Sequence, residues 1–197
     1  QRRGPVASAA AAAAAAAAVL ALVALRVRRS HAAFARYPRQ YVVRRGTPPQ
    51  IDGDVHKAAW QRVPWSEPFV EIRGARDAPS GSGPTEAQTT RMKMLWDDEF
   101  LYIAAIMDVA AGDELSAHFT KRNSPIFHTD SDFEVFVDPA GCCHGYKELE
   151  LNAINTVWNL MLSKPYADGG GELSGRVAGP GDRDYWEVRE QKTATRV

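Results

Sequence analysis

Phe133, Val135 and Val137 alternate with Glu134, Phe136 and Asp138, and Lys147, Leu149 and Leu151 alternate with Glu148, Glu150 and Asn152. A period of two belongs to an extended strand, whose successive side chains point to opposite faces. No amphipathic helical period occurs after Val27, so a chain with this pattern has to build its core from sheets. Two further apolar runs, TRMKMLW and FLYIAAIM, flank the acidic turn Asp97-Asp98-Glu99. That arrangement signals a β-hairpin with Met92, Met94 and Trp96 on one face. Thr156 to Leu162 reads as another strand, and Tyr185 to Glu190 as the start of one more. Gly46-Thr47-Pro48-Pro49, the stretch from Gly74 to Thr85, and KPYADGGG carry too much Gly, Pro and Ser to be element interiors. Short alternating strands joined by long loops predict an all-β fold, specifically an antiparallel β-sandwich of immunoglobulin-like or jelly-roll-like form. Trp60, Trp96 and Trp158 lie among apolar neighbours and are expected in its core.

The first forty residues read differently. From Pro5 to Leu25 the chain is apolar and mostly alanine, with arginines on both flanks and no acidic residue before Asp52. The segment approaches the roughly 20 residues a helix needs to span a bilayer, so a signal anchor fits it. A cleaved secretory signal, an Arg-rich organellar transit peptide for chloroplast or mitochondrion, or a plain alanine tether share its features. The expected organisation is therefore residues 1–40 as an apolar helix with an Arg-rich linker, and residues 41–197 as the folded module. The module would sit secreted or membrane-anchored, facing the lumen or exterior.

Composition removes several functions. The net charge is +0, and no basic stripe with interleaved aromatics follows Arg45, so nucleic-acid binding has no electrostatic footprint. Cys142 and Cys143 are adjacent and unsuited to bridging each other. Without a CxxC pair or an HxxxH spacing, structural zinc has no ligand set. His118, His128 and His144 read as loop histidines. There is no GxSxG, HExxH or P-loop pattern.

Alternation also places Glu148, Glu150 and Asn152 on one side of their strand, with Glu134 opposite Val135. If the two strands are neighbours, one sheet carries an acid-rich face. That face is either a solvated exterior or an array of acceptors for hydroxyl groups, which sugar-binding sheets combine with an aromatic platform.

The succession IDG…W, MLWDDEFLYIAAIM, SPIFHTDSDFEVFVDP and YKELELNAINTVWNLMLSKPYADGG resembles the family 9 carbohydrate-binding module, within the wider DOMON-like superfamily, over about Val43 to Gly171. The resemblance implies a non-catalytic β-sandwich that binds poly- or oligosaccharide, often at chain ends, and that accompanies glycoside hydrolases in carbohydrate catabolism. Glu134 and Asn152 match family positions that bond sugar hydroxyls. Glu150 stands where the family has a basic residue. Of the two tryptophans that clamp the sugar in well-known members, the first falls near Phe127 and His128. The second would lie beyond Val197, so the family's closing strands are expected to be missing, leaving a sheet edge exposed. Family members often bind structural calcium, and Asp130 and Asp132 in HTDSDFE offer oxygen ligands for it. Two other functions remain open: a structural or protein-interaction sandwich without sugar affinity, and glycoside hydrolysis if Glu134 and Glu150 stand about 5 to 10 Å apart on adjacent strands.

Overall fold

A computed structural model describes residues 39–73, 79–81, 83–171 and 187–197. Of the strand expected over Tyr185 to Glu190, the part 187–190 is loop and turn, and the Ala-rich segment lies outside the described residues. Among those residues no helix is long and apolar enough to cross a membrane. Contacts divide the chain into Gln1–Val42 and Val43–Val197, and every element described below belongs to the second unit.

Among the described residues the fold is all-β, with almost no helix. Strands β1 (Arg44–Arg45), β2 (Thr90–Trp96) and β3 (Leu101–Met107) form one three-stranded sheet in that order, and β4 (Asp132–Val137), β5 (Tyr146–Asn152) and β6 (Val157–Leu162) form a second. The β2–β3 hairpin runs in full register from Thr90↔Met107 to Trp96↔Leu101. Asp97 closes it by accepting the N–H groups of Glu99 and Phe100 and the Tyr102 hydroxyl, each at 2.8 Å. Such a turn needs a short side chain that can bond the backbone two and three residues on. The acidic turn read from the sequence is thus a backbone clamp as well as a solvated corner. β1 joins from the amino-terminal side and pairs parallel with β2 through Arg44↔Leu95 and Arg45↔Trp96.

Each sheet has its own core. The first gathers Trp60, Leu95 and Ala104, with Val55, Val63 and Tyr102 against them. Trp60 comes from a single helical turn, α1 (Ala58–Gln61). On β2 the buried positions are Lys93 and Leu95 rather than the Met92, Met94 and Trp96 face. Lys93 is accommodated because its ammonium donates to Trp60 O at 3.1 Å and lies 4.0 Å from the Trp65 ring centroid. A cation over an indole face recovers part of the lost hydration. Trp96, expected inside, is 41% exposed with the Arg45 guanidinium over its ring. The pleat that turns Leu95 inward turns Trp96 out.

The second core joins Ile126, Trp158, Leu160 and Leu162, with Phe119 and Tyr146 packed against it. Ile126 belongs to a 3-10 turn, Ile126–His128, that precedes β4. Phe69, tied to β2 by its N–H on Thr90 O, stacks on Phe133 of β4 at 6.2 Å between centroids. From the 187–197 segment, Glu187 and Val188 meet β6, Thr193 meets the turn before it, and Lys192 and Arg196 reach Phe100 and Asp54. Val188 N–H donates to Asn159 Oδ1, and Asn155 donates to Thr193 O. Glu187 meets Arg122, Asn123 and Asn159, so part of the β6 flank is lined by Asn123, Glu187 and Val188.

Ile126 is 0% exposed and caps the second core from outside the sheet. Its replacement by alanine should cost roughly 3 kcal/mol, read from the urea midpoint. Ile72→Ser, at a position 97% exposed, should change stability by less than about 0.5 kcal/mol.

Candidate functional site

In β4–β5–β6, side chains that are partners across the ladder share a face. Asp132↔Asn152, Glu134↔Glu150 and Phe136↔Glu148 pair between β4 and β5, and Glu150↔Trp158 and Glu148↔Leu160 between β5 and β6. One face therefore reads, from edge to edge, Glu134, Glu150, Trp158. The strands are neighbours, as the acid-rich face required. The face is not a solvated exterior, however. Glu148, Glu150 and Asn152 are 6%, 1% and 0% exposed, because β6 adds Trp158, Leu160 and Leu162 to the same side and Ile126 packs onto them. Alternation within β5 says which residues share a side, but the apolar neighbours that bury that side come from β6 and from the turn before β4.

Asn152 is used fully by the protein itself. Its amide nitrogen donates to Asp130 Oδ2 at 2.7 Å and Phe119 O at 3.0 Å. Its oxygen accepts from Thr156 N–H at 2.7 Å and Ile154 N–H at 3.2 Å. Both donors and both lone pairs are taken, which leaves nothing for a sugar hydroxyl. Asp130, its partner, has a side chain with no solvent exposure. Burial opposes its charge, but the His118 N–H, the Asn152 amide, the Phe119 N–H and the His118 ring outweigh that and hold the carboxyl down at about 2. A carboxylate so well supplied with N–H donors has no need of a cation, and Asp130 does not fit the calcium expected in this loop. Asp132 is half-buried on the acidic face, and its carboxyl is raised by loss of water and by the charge of Asp130.

Glu134, Glu148 and Glu150 form the cluster proper. Each offers one carboxylate oxygen, and the three oxygens lie within 4.8 Å of one another. Neither oxygen of Glu150, nor Oε2 of Glu148, accepts a hydrogen bond. Among the described residues, no Lys, Arg or His forms an ion pair with any of the three. Desolvation, then contact with Glu148 and the charges of Asp132, Glu148 and Glu134, raises the Glu150 carboxyl far above its usual range. Desolvation, then the charge of Glu148, pushes Glu134 up to about 7 even though the residue is exposed. Carboxylates facing each other have only acceptors to offer, so any bond among them requires a proton held between them. Glu148 was not singled out from the sequence as a site residue. The signal for it was its two-residue spacing from Glu150 on one strand.

Phe127 is 40% exposed. Its ring meets the edge of Trp158 at 4.7 Å and lies 4.0 Å from the His128 ring. His128 is exposed beside it. The face thus holds a solvent-reached carboxylate on β4, buried acids on β5, and an aromatic surface against β6. A glycosidase needs two carboxyls about 5 to 10 Å apart that both reach the substrate; here the nearest oxygens of Glu134 and Glu150 lie within 4.8 Å and Glu150 is 1% exposed. No family model, no curated protein and no solved structure matches the chain.

Two outcomes are expected. The folded state resists ionising Glu150 and Glu134, whereas the unfolded chain ionises near the ordinary glutamate value of 4.5. In chelator-treated buffer the cluster's contribution is intact below that value and is lost as pH rises through about 7 and beyond. The thermal midpoint should therefore fall between pH 5 and 9, and Glu150→Gln should flatten the slope. Asn152→Ala, by contrast, should cost roughly 3 kcal/mol in urea melts through the buried groups it strands.

Proposed function

We propose that Val43–Val197 is a non-catalytic carbohydrate-binding module of the family 9 type, built as a β-sandwich. The observation that carries this reading is the pairing, on one sheet face, of an exposed carboxylate with an exposed aromatic ring. Glu134 lies on β4 and Phe127 lies against Trp158 of β6. β4 and β6 are two strand spacings apart, roughly 10 Å at about 4.8 Å each, enough to admit a sugar ring with its hydroxyl groups. A pyranose stacked on Phe127 would direct hydroxyl groups toward Glu134, while His128 adds a donor or acceptor at the rim. The stack of Phe69 on Phe133 supports the two sheets facing each other as layers of one sandwich.

Within this reading Asn152 and Asp130 hold the site in shape, and Glu134, Phe127 and His128 make the contacts. Glu150 sets the charge beneath them. The apolar segment 5–25 would bring such a module to a membrane or to the exterior, where polysaccharide is encountered.

Soluble xylo- and cello-oligosaccharides, titrated against the protein while tryptophan fluorescence and heat are followed, test the proposal. Saturable binding is expected, weakened about tenfold by Phe127→Ala through the lost stacking contact and by a similar factor in Glu134→Gln. Absence of binding by the parent protein would turn the reading to a structural or protein-interaction sandwich. Glycan cleavage abolished by Glu134→Gln would make the chain an enzyme.

A further inference from the structure

The buried end of the acidic face raises a question that sugar recognition does not answer. Glu148 and Glu150 are 94% and 99% removed from solvent, yet three of their four oxygens accept no hydrogen bond. Two glutamates with protein donors would be ordinary. Two that face only other carboxylates, converging with a third carboxylate oxygen inside 4.8 Å, need either a shared proton or a cation between their oxygens. In the loop leading into the same sheet the protein supplies donors generously, as at Asp130, where backbone and side-chain N–H groups surround the carboxylate. The difference is local and specific to the trio.

We propose that Glu134, Glu148 and Glu150 bind one calcium ion. Calcium takes oxygen ligands at about 2.3–2.6 Å, so two oxygens on opposite sides of the ion stand at most about 5 Å apart. The observed span meets that limit. Carboxylate oxygens are the ligand type a hard divalent cation prefers, and three supply charge in excess of the ion's own. An organic ammonium group fits less well, since Glu148 and Glu150 are almost inaccessible and only a small desolvated ion reaches both. Glu134, the exposed member, provides the route in and leaves part of the coordination sphere to water. The ion would take the place of the missing donors and bridge β4 to β5 where Glu134 and Glu150 are direct partners. The site is distinct from the Asp130 position considered earlier, and it stands whether or not the module binds sugar.

The full chain, stripped with chelator and dialysed against radioactive calcium at neutral pH without any glycan, provides the test. One ion per chain is expected, accompanied by a rise in thermal midpoint. Affinity should fall roughly tenfold or more in Glu134→Gln and in Glu150→Gln, given how strongly calcium affinity depends on ligand charge. Because Glu134 is exposed, its variant is expected to fold, and a normal circular-dichroism spectrum for it removes misfolding as an explanation. Phe127→Ala takes away a ring but no oxygen and should retain the ion, which separates this result from the fate of sugar binding. Glu86→Gln, in an exposed loop, should bind as the parent does. No calcium uptake at millimolar concentration, or uptake untouched by both Glu134→Gln and Glu150→Gln, would overturn the proposal.

Discussion

The bond between Asn152 and Asp130 is the constraint on which the second sheet depends. It joins the last residue of β5 to the loop just before β4, at 2.7 Å in a fully enclosed position. The same carboxylate gathers the backbone of His118 and Phe119, and the same amide gathers Ile154 and Thr156. Three separate stretches, 118–119, 130 and 152–156, are thereby held at one point. Because Asp132 lies opposite Asn152 in the ladder, that point also fixes the β4–β5 register. A slip of one residue would send every glutamate to the other face. The acidic trio is therefore a downstream result of a polar lock made of neutral amides and one buried anion ringed by N–H donors.

The two kinds of buried acid show how differently one sheet can treat the same functional group. Asp130 is ionised inside the protein because N–H dipoles converge on it. Glu150, on the same face, is surrounded by Trp158 on one side and by other acids on the other. The first arrangement adds rigidity. The second stores unfavourable electrostatics and keeps them close to the surface at Glu134. Strain of that sort is commonly held where a protein meets something else.

Much of this was legible in the sequence. The hairpin around Asp97, the alternation of β4 and β5, and the shared side of Glu148, Glu150 and Asn152 follow from periodicity alone. What periodicity does not contain is the identity of neighbours. Whether that side faces water was decided by Trp158, Leu160 and Leu162 on β6 and by Ile126, residues whose proximity is a tertiary fact. The role of Asn152 is a similar case. Its position in the motif marks it as polar and interior to the site, but its saturation by Phe119, Ile154 and Thr156 depends on loops that no local pattern specifies. The burial of Lys93 is hidden from local pattern for the related reason that the residues stabilising it, Trp60 and Trp65, sit some thirty positions earlier. Trp96 followed from the same reversal, since a buried lysine on β2 forces its alternate neighbour outward.

The two sheets differ in one further way, set by the short parallel pairing of β1 with β2. The β4–β5–β6 meander pairs strands that follow each other along the chain, so its loops close at small entropic cost. β1 meets β2 only after about fifty residues of intervening chain have been brought round, and loop-closure entropy grows with that length. Topologies rich in such distant pairings fold slowly. Assembly of the molecule is thus uneven in time. The meander that carries the acidic face can form from near contacts, whereas Arg44 and Arg45 need the β2–β3 hairpin as their partner.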